Sequence, residues 1–299
     1  LEWVASAHAG GRTRSSGWLE RVTALRPMEL EGLTPETATA AVRLDVGVST
    51  GSASVSIPIP LTAGRDGFGP ALSLTHGGHD PLSPFPHGWS LSGLPSIELD
   101  SRRGLPRHDG SDTHRFAGAE LVPMDEPGRT TAWREGDYDV RVFRPRLETA
   151  TARVERWTER GSRRVYWRAR SPDGGVMVFG RSGEARIEDG DRTFRWLLEA
   201  SFDRLGNAMW VRYRPENDAG VDPLALDGSR FANATANRYV DRILYGNAAP
   251  LAVDDALEPA RWHFEAVLDY GGHDAEPTPA RPWPVRPDVG TTGRPGFEV

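Results

Sequence analysis

The chain has 299 residues, 38% of them hydrophobic, with 33 Gly, 24 Pro and a formal net charge of -6. So many chain breakers exclude a fold of long helices and suit short strands joined by tight turns. Cys and Lys are both absent, which excludes disulfides, thiol catalysis, cysteine zinc sites and lysine phosphate loops, and all 36 basic side chains are Arg.

Residues 1–47 are weakly patterned and read as a leader or linker, with one short helix expected from Thr34 as N-cap and Pro35 in the first turn. From Ala53 the period becomes two. Val55, Ile57, Ile59 and Leu61 alternate with Ser54, Ser56, Pro58 and Pro60. The two prolines make this an edge or wrapping strand. Gly64-Arg65-Asp66-Gly67 turns the chain, and Ala71 to Thr75 returns as a second strand. Residues 76–88 form a loop rich in Gly, Pro and His that leads to Gly88-Trp89-Ser90-Leu91. Further strands are predicted over 138–144, 151–158, 163–170, 175–180, 184–188, 193–201, 207–214, 238–246 and 261–270. Pro172-Asp173-Gly174-Gly175 and Asp203-Arg204-Leu205-Gly206-Asn207 supply hairpin turns. Residues 215–237 form a long polar connection, and the tail from 274 to 299 is Pro-rich and extended. The fold class expected is all-β, with many short antiparallel strands and little helix.

The acidic balance argues against a nucleic-acid partner, which needs a clustered basic face. Arg102-Arg103 and Arg163-Arg164 read as solvated strand ends. The Arg-only usage fits a GC-rich genome, and also a surface built for planar ion pairs and aromatic stacking. No apolar run approaches the roughly 18–20 residues that span a bilayer, so no direct membrane insertion is expected. No signal peptide is visible, and the start at Leu1 and end at Gly-Phe-Glu-Val suggest a fragment of something longer.

The chemistry-bearing clusters are few. His76-Gly77-Gly78-His79-Asp80 offers two His and one Asp at metal-like spacing, but in a Gly-Pro loop rather than on a rigid element, so a polar loop is the preferred reading. Asp109, Ser111 and Asp112 resemble a calcium loop without the later bidentate Glu, and read as a turn. Glu29-Leu30-Glu31 matches a Glu-x-Glu pattern used in ADP-ribosyl transfer, yet lacks flanking strands. No Gly-x-Ser-x-Gly elbow occurs. Trp89 and Trp167 suit sugar stacking, although core filling is the commoner role. No catalytic, cofactor or metal residue is assigned, and no cofactor is expected.

Several ordered motifs give a family resemblance. Gly51 to Pro60, then Gly64-Arg65-Asp66-Gly67-Phe68-Gly69-Pro70-Ala71-Leu72, resembles the opening of the SpvB-type domain of insecticidal toxin complex B components and virulence-plasmid B proteins. Gly88-Trp89-Ser90-Leu91, Leu94-Pro95-Ser96-Ile97, Ala152 to Thr158 and Asp203 to Asn207 come in that family's order. So do Ile243-Leu244-Tyr245-Gly246-Asn247, Trp262-His263-Phe264-Glu265 and Gly293 to Val299. The similarity runs over residues 48–299, with 48–273 as the β domain and 274–299 as a truncated part of the same region. It departs at residues 76–87, where His and Pro replace the family's glycines.

The resemblance implies a non-catalytic structural component of a secreted toxin complex, contributing to a hollow β shell that encapsulates a toxic effector. Phe202 to Asn207 looks like the YD-type repeat that winds such shells. The implied partners are a repeat-containing C component, a channel-forming A component and the effector segment. The implied location is extracellular, after assembly in the bacterial cytoplasm. Downstream propeller and repeat regions of the family are expected to be absent from this chain. A second reading is a secreted carbohydrate-binding or glycan-hydrolysing β protein, drawn from the ten Trp and the acidic balance. A third is a receptor-binding surface protein.

Overall fold

A computed structural model describes residues 5–7, 43–46, 53–77, 88–102, 104–125, 131–146, 152–215 and 236–268. The expected helix at Thr34, all but the ends of the connection 215–237, and the Pro-rich tail lie outside these residues. Among the described residues the chain is all-β, and its only helical segments are 3-10 turns at Arg65–Gly67 and Gly183–Ala185.

The strands are β1 (Ala5–Ala7), β2 (Arg43–Val46), β3 (Ala53–Pro58), β4 (Ser73–His76), β5 (Trp89–Ser92) and β6 (Ser96–Leu99). Then come β7 (His114–Phe116), β8 (Ala119–Pro123), β9 (Ala132–Glu135), β10 (Tyr138–Pro145), β11 (Arg153–Glu159) and β12 (Val165–Arg170). The last are β13 (Val176–Phe179), β14 (Arg186–Asp189), β15 (Arg192–Phe202), β16 (Ala208–Pro215), β17 (Arg238–Asn247) and β18 (Trp262–Leu268). Every described strand pair is antiparallel, as expected of neighbours joined by tight turns. β1 and β2 fall within the stretch read as a leader.

One sheet runs β15-β13-β12-β11-β10-β8-β7-β6 and then returns, because Ser96–Glu98 of β6 pair with Arg195–Leu197 of β15. That second pairing closes the path into a barrel. Period-two alternation decides what fills it. On β11, Val154 belongs to the interior cluster, while Trp157 belongs to a cluster on the outer face. On β12, Trp167 and Ala169 point inward and Tyr166 points outward. Ile97, Phe116, Phe143, Phe179 and Trp196 complete the interior with them.

β15 also leaves the barrel. Its Ala200–Phe202 segment pairs with β16, which leads through β17 and β18 to β1 as an open antiparallel extension. The register between β13 and β15 shifts so that Glu199 is the extra residue, since Val178 faces Ala200 and Phe179 faces Leu198. A bulge reverses the sense of alternation. Phe194, Trp196 and Leu198 therefore join the interior cluster, while Ala200 and Phe202 join the outer one.

The second sheet runs β2-β3-β4-β5. The edge position expected for β3 is corrected here, because β3 is an inner strand. Its prolines are tolerated because β2 pairs only with Ala53–Ser56, so Pro58 lies beyond its reach. Ile59, Leu61, Phe68, Leu72 and Leu91 attach this small sheet to the core cluster that also holds Met209, Val211 and Ile243 of the extension. Gly69 lies close against the extension, because a Cβ there would sit 3.3 Å from the Tyr245 ring and the ring would have to give by a few tenths of an ångström.

Trp167 is fully buried and meets His114, Phe143 and Trp196. Trp167→Ala is expected to destabilise the fold by about 3–5 kcal/mol, as aromatic-to-alanine changes in closed cores do. Urea denaturation measures it; a loss below roughly 1 kcal/mol would show that the barrel interior is not a packed core.

Candidate functional site

Two polar assemblies and one cavity stand out from the packed sheets. The first joins two hairpins. In the turn between β15 and β16, Asp203 Oδ1 accepts from the backbone N–H of Leu205 at 2.8 Å and of Asn207 at 2.9 Å, and Oδ2 accepts from Asn207 Nδ2 at 2.7 Å. Burial opposes ionisation of Asp203, but these donors hold its carboxyl below the ordinary carboxylate range. Gly206 has φ +79, and a Cβ there would lie 2.8 Å from Pro250 Cβ, so only glycine fits the turn and the chain that crosses it. The Gly206 carbonyl accepts from Leu251 N–H at 2.9 Å and from Asn247 Nδ2 at 2.8 Å. Asn247, at the end of β17, also accepts from Ala208 N–H at 2.8 Å and donates to the Ala249 carbonyl at 2.7 Å. Thus the Asp203–Asn207 motif braces its own turn, and the Tyr245-Gly246-Asn247 motif staples that turn to the next hairpin.

The second assembly clamps residues 248–261 onto the outer face. Leu251, Val253 and Leu257 cover Trp157, Tyr166 and Phe202. Arg168 donates to Asp254 at 2.6 Å and to the Tyr166 hydroxyl at 2.8 Å, with its guanidinium 3.9 Å from the centre of the Trp157 ring. Arg181 donates to the Val253 carbonyl at 3.2 Å. A planar, multiply donating cation suits this combined stacking and forked contact, and lysine does not. Nearby, the buried Glu155 carboxylate accepts from Trp157 Nε1 at 3.2 Å and Arg170 Nε at 3.3 Å.

The cavity, about 720 Å³, lies where the β6–β7 connection, the β11–β12 hairpin and the β14–β15 hairpin meet. Leu99, His114, Val165 and Trp196 line it beside Arg156. His114 is 6% exposed and packs on Phe143, Trp167 and Trp196. Burial, helped by the Arg156 charge, pushes its pKa down to about 3.

Residues singled out in the sequence are dispersed. His76 packs against Trp89, with ring centroids 5.2 Å apart, while His79 and Asp80 lie outside the described residues. Glu29 and Glu31 lie outside them as well. Asp109 accepts from Ser111 N–H, and Asp112 accepts from Arg107 N–H at 2.8 Å and His108 N–H at 2.7 Å, so both carboxylates brace their own loop. Among the described residues no group of three or more His, Asp or Glu could hold a metal ion. Trp167 is core, and Trp89 is half-buried. Arg163 and Arg164 are exposed at the β11–β12 turn, where the strand-end reading placed them. Arg168, Arg156 and Asn247 had not been singled out. Arg168 sits among the apolar and aromatic residues of an alternating strand, and that is the available signal for a buried cation.

A closed strand barrel that shares one strand with an open antiparallel extension defines an all-β module. The family described as Salmonella virulence plasmid 65kDa B protein (SpvB) matches residues 48–299, and the chain belongs to that family. It is 29% identical over 264 residues to the mono(ADP-ribosyl)transferase SpvB of Salmonella typhimurium, an alignment that spans 80% of this chain and 44% of that protein. Among solved structures it is similar to TcdB2-TccC3, with TM-score 0.67 and 32% identity, covering 78% of this chain and 12% of that one. It is also similar to the N-terminal domain of effector protein SpvB from Salmonella typhimurium strain LT2, with TM-score 0.63 and 29% identity over 75% of this chain and 76% of that one. The chain therefore spans less than half the length of the curated relatives, and its likeness includes their N-terminal domain.

Two measurements test the site. Asn247→Ala leaves the buried Ala208 N–H without its acceptor and should cost roughly 1–3 kcal/mol by urea denaturation. For His114 the folded pKa lies below the unfolded value near 6.5, so the unfolded state binds more protons between those values. Its contribution is present above about pH 6.5 and is lost as pH falls toward 3. From pH 7 to pH 5 this amounts to roughly 2 kcal/mol. Stability of His114→Phe should fall less steeply over that range than stability of the natural chain; parallel slopes would show that His114 is not buried neutral.

Proposed function

We infer that the chain is a non-catalytic structural segment of a secreted toxin complex, and that it forms part of a hollow β shell around an effector. The observation that carries this reading is the extension β15-β16-β17-β18. It grows by successive antiparallel hairpins, and β1 pairs only with Ala266–Leu268 of its last strand. Among the described residues, no strand pairs with the outer side of Trp262–Glu265. An unpaired row of backbone donors and acceptors is a place where a sheet continues into another segment or chain. The likeness to TcdB2-TccC3, of which this chain matches 12%, supports a role as one piece of such an assembly.

In this reading residues 48–273 are the family's β domain, 1–47 a leader or linker and 274–299 a Pro-rich extended tail. The partners are a repeat-containing C component, which closes the shell, and a channel-forming A component, which delivers the contents. Assembly takes place in the bacterial cytoplasm and precedes release. No cofactor takes part. The polar chemistry above serves this role mechanically: Asp203, Asn207 and Asn247 lock hairpin to hairpin, as a wall built by repetition needs.

The test is co-expression with a repeat-containing C component, then size-exclusion chromatography with light scattering. A stoichiometric complex is expected. A soluble monomer that ignores the partner would overturn the shell reading and favour a free-standing module, to be probed next on a glycan panel.

A further inference from the structure

The shell reading leaves the barrel-end cavity without a use, and its charge arrangement is unusual. On β11, Arg156 alternates with Glu155 and Trp157 and shares the inward face with Val154. It lines the cavity, yet no carboxylate among the described residues pairs with it, and its Nε is buried without any hydrogen-bond partner. Burial and then the like charges of Arg141 and Arg163 hold its pKa below the ordinary guanidinium value. The field at Arg156 is thus that of an uncompensated cation.

The rest of the lining sharpens the contrast. Arg163 and Arg164 stand at the same cavity with no ion pair among the described residues. Four carboxylates share the lining and keep their charge, but none of them forms an ion pair with Arg156. Asp109 accepts from Ser111, Asp112 from two backbone N–H groups, and Glu188 from Arg186 at 2.6 Å; Asp191 stands exposed at the rim. By contrast, Arg102, Arg115, Arg146, Arg153 and Arg168 each have an acidic partner within 3.5 Å. His114 is a second, independent sign. It lines the cavity at 6% exposure, and its imidazole has ring contacts but no hydrogen bond among the described residues.

A buried charge without a partner is costly, and buried polar groups are ordinarily hydrogen-bonded. We propose that the barrel-end cavity is a binding site for a small phosphorylated organic molecule, whose phosphoryl oxygens meet Arg156, with Arg163 and Arg164 closing over them. Guanidinium groups bind phosphate in a forked geometry, and three arginines that form no ion pair among the described residues line this cavity. The cavity, about 720 Å³, is far larger than a phosphate ion. Within a lining that is otherwise largely polar, Leu99, Val165 and Trp196 give the uncharged body of the ligand an apolar and aromatic surface.

The experiment is isothermal titration calorimetry of the natural chain at constant ionic strength with phenyl phosphate, inorganic phosphate and chloride. Phenyl phosphate should bind more tightly than inorganic phosphate, and chloride should give no saturable heat. In Arg156→Gln the dissociation constant for phenyl phosphate should rise by about tenfold or more, the loss expected for one charge-assisted contact. Without ligand, Arg156→Gln should melt no lower than the natural chain, because it removes an uncompensated charge. Should that variant fail to fold, the exposed pair Arg163→Gln and Arg164→Gln provides the same test, with weakened binding expected. Absence of binding overturns the proposal, and so does equal affinity for the two phosphates. Unchanged affinity in the variants, or a lowered melting temperature of Arg156→Gln, would assign Arg156 to the fold instead.

Discussion

The fold depends on one strand being shared. β15 pairs with β14 and β6 along Arg192–Leu197 and with β13 and β16 along Leu198–Phe202, so it belongs to both the barrel and the open extension. A strand has two hydrogen-bonding sides, so serving four neighbours requires length, and filling first the barrel and then the outer face requires a change of facing. Eleven residues supply the length. The bulge at Glu199 supplies the change, since it sends Leu198 into the barrel and Ala200 to the outer cluster. Were Glu199 an ordinary residue of a regular strand, Phe202 would carry the same facing as Trp196, and the cover provided by 248–261 would lose its counterpart.

Charge in this chain acts mostly as construction material. Arg168, Arg181 and Arg186 each serve carbonyls or carboxylates that hold a loop or a bend in place, with Arg186 donating to the Gly180 carbonyl at 3.0 Å. Guanidinium groups do this well because they remain charged at any relevant pH and present donors in a plane. The Arg168–Asp254 contact spans a buried cation and a mostly exposed carboxylate, so solvent screens part of its strength. Its stacking on Trp157 and its hydrogen bond to Tyr166 are protected from that screening. The arrangement at Arg156 departs from this pattern, and that is why the cavity beside it invites a ligand.

Much of the architecture could be read from residue order. The strands from Tyr138 onward fall within a few residues of their predicted positions, because alternation is clean there and Asp-Gly or Gly-Asn turns punctuate it. The segment 96–135 was harder. β7 has only three residues, and its turn to β8 uses Ala117 at φ 46 before Gly118 at φ 85, a positive-φ pair without the Asn or Asp that marks such turns. Barrel closure was not legible at all, since the pairing of β6 with β15 joins residues about a hundred positions apart and leaves no local trace. The same holds for the cavity. Arg156 looks like any outward polar residue on an alternating strand until the barrel is closed around it. Asn247 likewise reads as the end of a strand, and two of its three side-chain hydrogen bonds reach a turn about forty residues earlier.

The long-range seam between β6 and β15 also sets an order of events as the chain folds. The hairpins β10–β11, β11–β12 and β15–β16 join neighbours and can zip early. Bringing Ser96–Glu98 to Arg195–Leu197 closes a loop of about a hundred residues, and the entropy of that closure is lost before any seam contact offsets it. Until then the inward faces of Trp167, Trp196 and Phe179 belong to an unrolled, sticky sheet. The last step of folding is then the rolling-up of that sheet, and a chain emerging slowly from the ribosome would stay open to wrong strand partners until β15 had been made.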